Sequence, residues 1–300
     1  MPELPDIELY LAVLRPRVVG KRLTRLRVSS PFVLRTFEPP VEALHGQCVQ
    51  RVERIGKRVV FAFSDDLYLV IHLMIAGRFR WVDKPGAKPP GKVGLASFEF
   101  EHGTLLLVES SPKKRASIHV LHGVDDLRAQ DRGGIDVLTC TLDQFAQRLR
   151  AENHTLKRSL TDPRLFDGIG NAYSDEILHA ARLSPVRLTS KLSDDEIARL
   201  FEATRATLTT WTDRLRAQFA ARFPGPGDVT AFRPDFAVHG KFGQPCPVCG
   251  TLVQRIRYAE NETNYCPRCQ TDGKLLADRS LSRLLKDDWP ESIDEWEAGS

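Results

Sequence analysis

Nowhere in these 300 residues do about 18 apolar residues run together, so no membrane-spanning helix is expected. The N-terminus lacks a basic stretch followed by an apolar one, the mark of a secretory leader, and the expectation is a soluble, cytoplasmic protein with no membrane partner. The Gly-x-Gly turn at Gly168-Ile169-Gly170 has no third glycine and no strand before it, which excludes a dinucleotide fingerprint. Lys and Arg are absent from Asp287 to Glu297, where Asp287, Asp288, Glu291, Asp294, Glu295 and Glu297 stand. Although the net charge is only +4, the body outside that tail therefore carries about ten excess positive charges. This balance suits a polyanionic partner, with a merely basic enzyme surface as the plain alternative.

Cysteine is also scarce. Cys48 and Cys140 stand alone and read as buried thiols, but Cys246-x2-Cys249 and Cys266-x2-Cys269 are two knuckles with 16 residues between them. That spacing lets four thiolates close a tetrahedral zinc site, and two such motifs at ribbon distance weigh against a redox pair. With every position protein-supplied, one zinc ion in a structural role is expected.

The chain starts Met1-Pro2-Glu3-Leu4-Pro5-Asp6. Removal of Met1, which a residue as small as Pro2 permits, would leave a secondary amine beside an acid. An α-amine with a pKa near 7.7–8 is roughly one-tenth unprotonated at neutral pH. Attack on a sugar or aldehyde carbon would give an iminium intermediate. On these residues alone a frayed end is the competing reading.

The spacing predicts a helix from Pro5 to Arg15, stopped by Pro16, with Ile7, Leu11 and Leu14 on one face. From Arg22 to Leu121, seven or eight short alternating runs separated by turn residues predict an antiparallel sandwich or barrel. Gly56-Lys57-Arg58 falls between two of those runs, and His72-Leu73-Met74-Ile75-Ala76-Gly77 ends another. Residues 84–91 read as a mobile loop. Lys113-Lys114-Arg115 is a cationic turn, suited to solvent or to a phosphate backbone. Residues 123–135 read as a linker. Beyond them the pattern is helical over 142–152, 155–161, 172–181 and 193–221. At its centre Gly168 and Gly170 permit positive φ, and the amides of the helix that follows can hold a phosphate, as in a helix–hairpin–helix grip. Leu252–Tyr258 and Asn264-Tyr265 make a hairpin with its turn at Glu260-Asn261-Glu262. Leu275, Leu276, Leu281, Leu284 and Leu285 fit an amphipathic helix before a solvated acidic end.

Pro2-Glu3-Leu4-Pro5-Asp6-Ile7-Glu8, Lys57, His72-Leu73…Gly77, Gly168-Ile169-Gly170-Asn171-Ala172-Tyr173-Ser174-Asp175-Glu176-Ile177-Leu178 and Cys246…Cys269-Gln270 occur in that order. From Pro2 to about Gln270 the chain resembles the formamidopyrimidine-DNA glycosylase/endonuclease VIII family of base-excision repair enzymes. The resemblance implies an α+β multidomain fold. It comprises an N-terminal β-sandwich with its helix (1–125), a helical helix–two-turn–helix domain (136–225), a zinc-finger β-hairpin (238–272) and an extension (273–300). It implies a monomer acting in the cytoplasm, at the nucleoid, on double-stranded DNA that contains a damaged base or abasic site, with that nucleotide flipped out of the stack. It further implies that Pro2 attacks C1′, Glu3 shuttles protons and Lys57 binds a flanking phosphate. His72, Lys113, Lys114, Arg115, Lys157, Gly170, Asn171 and Asn261 would line the DNA, and Cys246, Cys249, Cys266 and Cys269 would hold zinc.

The sequence departs from the family pattern in two contacts. An Arg that grips the flipped nucleotide's phosphates lies, in the family, five residues before the third cysteine; here that position is Asn261, a neutral amide without the bidentate charge-assisted clamp. Arg255 or Arg257 on the preceding strand could compensate. The family fills the vacated stack with a Met and an Arg–x–Phe loop, matched here by Ile75 (or Met74) and by Lys113-Lys114-Arg115. Three readings follow: a bifunctional glycosylase and lyase, a specialised relative that mainly cuts abasic sites or acts on an unusual lesion, and a binder without turnover.

Overall fold

The structure, a computed structural model, describes residues 1–258, 261–276, 290 and 292–298, the side chains of Tyr258, Asn261 and 296–298 excepted. The chain is α+β and divides into two compact units, 1–133 with 210–231, and 134–209 with 232–300.

The first unit opens with helix α1 (Leu4–Val18). Pro5 lies in its first turn, where a missing N–H costs nothing, and the Asp6 carboxylate reaches back to accept the Glu3 backbone N–H at 2.9 Å. Ten of its 15 residues are buried, so α1 is packed on nearly every side and not on one face. This explains why it runs past Pro16, where the sequence predicts a stop. The proline forfeits one helical bond, but Val18 is anchored in the core and the Val19 N–H still reaches the Arg15 carbonyl at 3.1 Å.

Eight strands follow: β1 (Leu23–Val28), β2 (Val49–Ile55), β3 (Arg58–Phe63), β4 (Leu67–His72), β5 (Gly77–Val82), β6 (Gly94–Phe100), β7 (Gly103–Glu109) and β8 (Ser117–His122). They form two four-stranded antiparallel sheets, ordered β1-β6-β7-β5 and β2-β3-β4-β8. Alternation sends Val59, Phe61 and Phe63, Leu69 and Ile71, and Leu105 and Leu107 into one core shared with α1. Val60, Ala62, Tyr68, Val70 and Leu121 turn the other way and pack with Leu127 of a short helix, α2 (Val124–Arg128), inside the segment expected to be a linker. The stretch expected to be a mobile loop is tied down by the buried hydroxyl of Thr104, which accepts the Ala87 N–H at 3.1 Å and donates to the Lys84 carbonyl at 2.7 Å.

The second unit holds α3 (Leu142–Arg150), capped by a Thr141–Gln144 box, then α4 (Leu156–Thr161) and α5 (Asn171–Ala180). Helix α6 (Asp194–Gln218) starts here, and its residues from Thr210 belong to the first unit. A hairpin of β9 (Gln254–Tyr258) and β10 (Asn261–Tyr265) precedes α7 (Pro267–Thr271). Asn261 and Glu262, expected in the turn, begin β10, opposite Tyr258 and Arg257.

Part of the acidic end, expected to be solvated, is docked. In α8 (Ile293–Ala298) the Ile293 side chain is fully buried, its N–H donates to the Gly273 carbonyl at 2.8 Å, and Asp294 meets Arg268 at 2.5 Å. Leu281, Leu284 and Leu285 lie outside the described residues. Among the described residues, no helix is long and apolar enough to cross a membrane.

Candidate functional site

In the first unit, Pro2 and Glu3 are buried at the start of α1. Burial lowers the pKa of the chain's α-amine, here on Met1; Glu3 and Asp6 pull it up, while Arg78 and Lys57 push it further down. The chain start therefore shares a neighbourhood with an acid that could carry a proton and two cations that lower the amine's pKa. Lys57 is delivered by a two-residue turn between β2 and β3, in which Gly56 has φ 56° and Ile55 pairs with Arg58.

The His72–Gly77 turn stands beside it. Burial first, then the charges of Arg58, Lys57, Arg132 and His119, push His72 down to about 4, so the ring is neutral at pH 7. Its Nδ1 accepts the Met74 N–H at 3.1 Å, which leaves the proton on Nε2 as an uncharged donor. Met74 takes φ 53°, and a Cβ on Gly77 would lie 2.3 Å from the Leu73 carbonyl oxygen, so glycine alone fits there. Ile75 is the exposed apex of this turn, whereas Met74 is half-buried. Arg78, a residue with no role in the sequence reading, braces the turn by donating to the carbonyls of Ile75 (3.1 Å), Gly77 (2.7 Å) and Val229 (2.6 Å).

The cationic turn is also held from below. The Glu109 carboxylate, 1% exposed, accepts the backbone N–H groups of Arg115 at 3.0 Å and Ala116 at 3.1 Å, and the Lys114 ammonium donates to the Glu109 carbonyl. Lys113 and Arg115 are left exposed. Nothing in the run of charges pointed to Glu109, which reads in sequence as the last residue of a strand.

The second unit centres on the start of α5. Gly168 has φ 79°, but Gly170 is extended (φ −132°), so only one of the two glycines needs its freedom. Gly170 is the N-cap, and Asn171, in the first turn, donates its side-chain N–H to the Glu262 carbonyl of β10 at 2.9 Å. Lys157 points inward, to the Asn171 carbonyl at 2.6 Å and the Asp175 carboxylate at 2.5 Å. Asp175, fully buried, also accepts from His239 Nδ1 at 2.7 Å and the Asn264 N–H at 3.1 Å. The neighbouring Glu176 accepts the N–H groups of Ala237, Val238 and His239 at 2.8–2.9 Å. One short helix therefore fixes both the hairpin and the segment leading to it. Both acids stood in the quoted motif, yet their sequence positions gave no sign of this. Arg255 and Arg257, the cations considered for the missing Arg, both reach the Glu262 carboxylate at 3.3 Å. The side chain of Asn261 lies outside the described residues.

The ligand atoms of Cys246, Cys249, Cys266 and Cys269 all lie within 4.8 Å of one another. Tetrahedral Zn–S bonds require sulfurs about 3.8 Å apart, and Cys246–Cys269 and Cys249–Cys266 stand at 3.9 and 3.3 Å. Against its burial, hydrogen bonds from Thr251 and the facing cysteines hold Cys249 down at about 6. Burial pushes the Cys269 thiol up to about 11 and Cys266 higher still, so a bound cation is needed to ionise those two at neutral pH. The donors fit one structural zinc ion. His179 Nε2 lies 3.3 Å from Cys246 Sγ, in position to support that ligand from α5.

The first unit thus places a buried amine beside cations on a sandwich, and the second locks a zinc hairpin to a glycine-led helix start. Comparison with known proteins says which family carries both. Residues 1–114 match the formamidopyrimidine-DNA glycosylase N-terminal domain, 136–214 its H2TH domain, and 243–271 the zinc finger found in FPG and IleRS. The formamidopyrimidine-DNA glycosylase of Listeria innocua is 30% identical over 276 residues, 90% of this chain and 100% of that one. An uncharacterized formamidopyrimidine-DNA glycosylase-like protein of Mycobacterium tuberculosis is 42% identical over 153 residues, 51% of this chain and 94% of its own. A solved complex of a Lactococcus lactis FPG mutant with DNA containing Fapy-dG superposes with TM-score 0.79 at 25% identity, over 90% of this chain and 100% of that one. The chain belongs to the formamidopyrimidine-DNA glycosylase family.

Proposed function

We propose that this protein excises damaged bases from double-stranded DNA and cuts the strand at the resulting abasic site, with Pro2 as nucleophile. As a family member it is a base-excision repair glycosylase with lyase activity. Its working site is the cytoplasm, at the nucleoid. The observation that carries the assignment of the nucleophile is the buried chain start, where burial, Arg78 and Lys57 lower the pKa of the amine and so favour its nucleophilic form.

Once Met1 is removed, the Pro2 nitrogen lone pair attacks C1′ of an extruded nucleotide. The C1′–base bond breaks and the base leaves with its electron pair, taking up the proton that the Pro2 nitrogen gives up. Glu3 then protonates O4′ as the C1′–O4′ bond opens, which yields an iminium between Pro2 and the open sugar. Loss of a C2′ proton expels the 3′ phosphate, and water releases the sugar from Pro2. Lys57 and the neutral Nε2–H of His72 hold phosphates next to the reacting sugar. Lys113, Lys114 and Arg115 face the backbone from their braced turn, and Asn171 with the amides near Gly170 grips it from the second unit. Lys157, paired with Asp175, acts by holding that grip in place.

Borohydride should trap a covalent protein–DNA adduct on abasic and lesion-bearing duplex, and blocking the amine or substituting Pro2 should abolish it. An enzyme that cleaves abasic DNA yet never traps would sink this mechanism.

A narrower lesion range is the second reading, favoured by Asn261 in place of a clamping Arg and by Glu262 occupying both nearby arginines. Loss of such a clamp costs on the order of 10²-fold in rate. Asn261→Arg, tested on a panel of lesions beside an abasic site, should raise base excision by about that factor and leave abasic cleavage nearly unchanged.

A further inference from the structure

The outer face of sheet β2-β3-β4-β8 and the segment along its edge carry two guanidiniums, those of Arg58 and Arg35, with the imidazoles of His72 and His119 on the same face. Opposed residues of an antiparallel sheet share a face, and alternate residues return to it. Arg58 pairs with His72, His72 with Ser117, and Val70 with His119. Arg58, His72 and His119 therefore lie together on the face turned away from the main core. Along the edge strand β8 runs the segment 34–36: Leu34 bridges Ile118, the Arg35 N–H donates to the Ile118 carbonyl at 2.9 Å, and Thr36 Oγ1 donates to the Val120 carbonyl at 2.9 Å.

This pairing brings Arg35 to His119. Burial lowers the His119 pKa, followed by Arg58 and Arg35, and its Nδ1 is buried with no hydrogen-bond partner. On the same segment Phe37 is 77% and Phe32 81% exposed, two bare aromatic rings flanking a guanidinium. The rest of the face, Val60, Val70 and Leu121, is closed by Leu127, so the open part ends there.

We propose that this strip, Arg58, His119 and Arg35 with Phe37 and Phe32, is a track for single-stranded DNA leading away from Lys57 and His72. The guanidiniums of Arg58 and Arg35 match a phosphate backbone, and the exposed rings beside Arg35 match unpaired bases, which stack on any aromatic face whatever their identity. A duplex offers the same phosphates but hides its base faces, so the two phenylalanines select the single strand. The substrate class is damaged duplex that continues into an unpaired strand, as at a gap or junction. The inference rests on the DNA-processing reading above, and excision on blunt duplex tests that reading separately.

The test measures binding of the full-length protein to a short blunt duplex bearing a stable abasic-site analogue. The same duplex is then given an oligothymidine tail at each end in turn, a tail of base-free sugar-phosphate, or a double-stranded extension. One polarity of the thymidine tail should tighten binding about tenfold. It should also steepen the salt dependence by roughly 0.7 per phosphate engaged. Arg35→Ala with His119→Gln should remove the gain on every tail, and Arg35→Lys should restore part of it. Phe37→Ala should remove the gain on thymidine alone. Binding and excision on blunt duplex should be unchanged in all of these variants. Equal binding of tailed and blunt duplex, an equal gain from the double-stranded extension, or equal loss on blunt duplex would each overturn the proposal.

Discussion

Lys57 and His72 are three-dimensional neighbours with opposite electrostatic duties. Lys57 adds to the burial and the Arg78 charge that lower the pKa of the N-terminal amine, so Lys57→Ala should raise it. The acid limb of the cleavage pH–rate profile should then move to higher pH, while a mutant that merely lost a phosphate contact would fall in rate with no such movement. A lysine in a β-turn is ordinary in sequence, and Lys57 stands out only because it falls in order with the other motifs. Arg78 was not legible at all, because its three carbonyl partners become adjacent only when Val229 folds back beside β5.

The strands declared themselves through alternation, since each sheet buries one continuous face. The helices were harder at their ends. Pro16 was read by the local rule that proline breaks a helix, and burial of Val18 overrode it. The hairpin turn was displaced toward Asn261 because polar residues read as turn, whereas Glu262 is held in strand by both Arg255 and Arg257. The braced turn 110–115 gives a test at this scale. Glu109→Ala leaves two backbone N–H groups without their acceptor, at a cost of about 1–3 kcal/mol for each that stays buried. Thermal melting should show that loss, and lesion binding should weaken more than in Glu109→Gln, which keeps an acceptor oxygen. In the second unit, Asp175→Asn strips the charge from the contacts to Lys157 and His239. Breaking a buried pair costs about 3–5 kcal/mol. Zinc release to a chelator should accelerate in the same variant, because the hairpin loses its hold on α5.

For the whole molecule, acid and chelation should act on different units. His72 titrates near 4 in the folded protein and near 6.5 unfolded, so between those values the unfolded chain binds the extra proton. Stability should therefore fall as pH drops from about 6.5 towards 4, with the β-sandwich losing protection first in hydrogen exchange; His72→Gln should flatten that slope. Removing zinc should instead unfold the hairpin and abolish DNA binding while the exchange-protected sheets persist. Truncation before Pro290 would expose the pocket of Ile293, worth about 1.5–3 kcal/mol of burial, and should hasten zinc loss. Nothing in the acidic composition of the last residues announced that one isoleucine among them is a core residue.

Asp175 joins Lys157, His239 and Asn264, positions scattered over more than a hundred residues of chain. Each is tolerable only in the presence of the others, because a buried carboxylate with a missing donor is worse than none. Across descendants of a common ancestor these four positions should therefore drift as a set, and a lineage that has lost one should have replaced the acid as well. The same quartet then marks, in evolutionary time, how long the hairpin and helix α5 have been inherited as a single part.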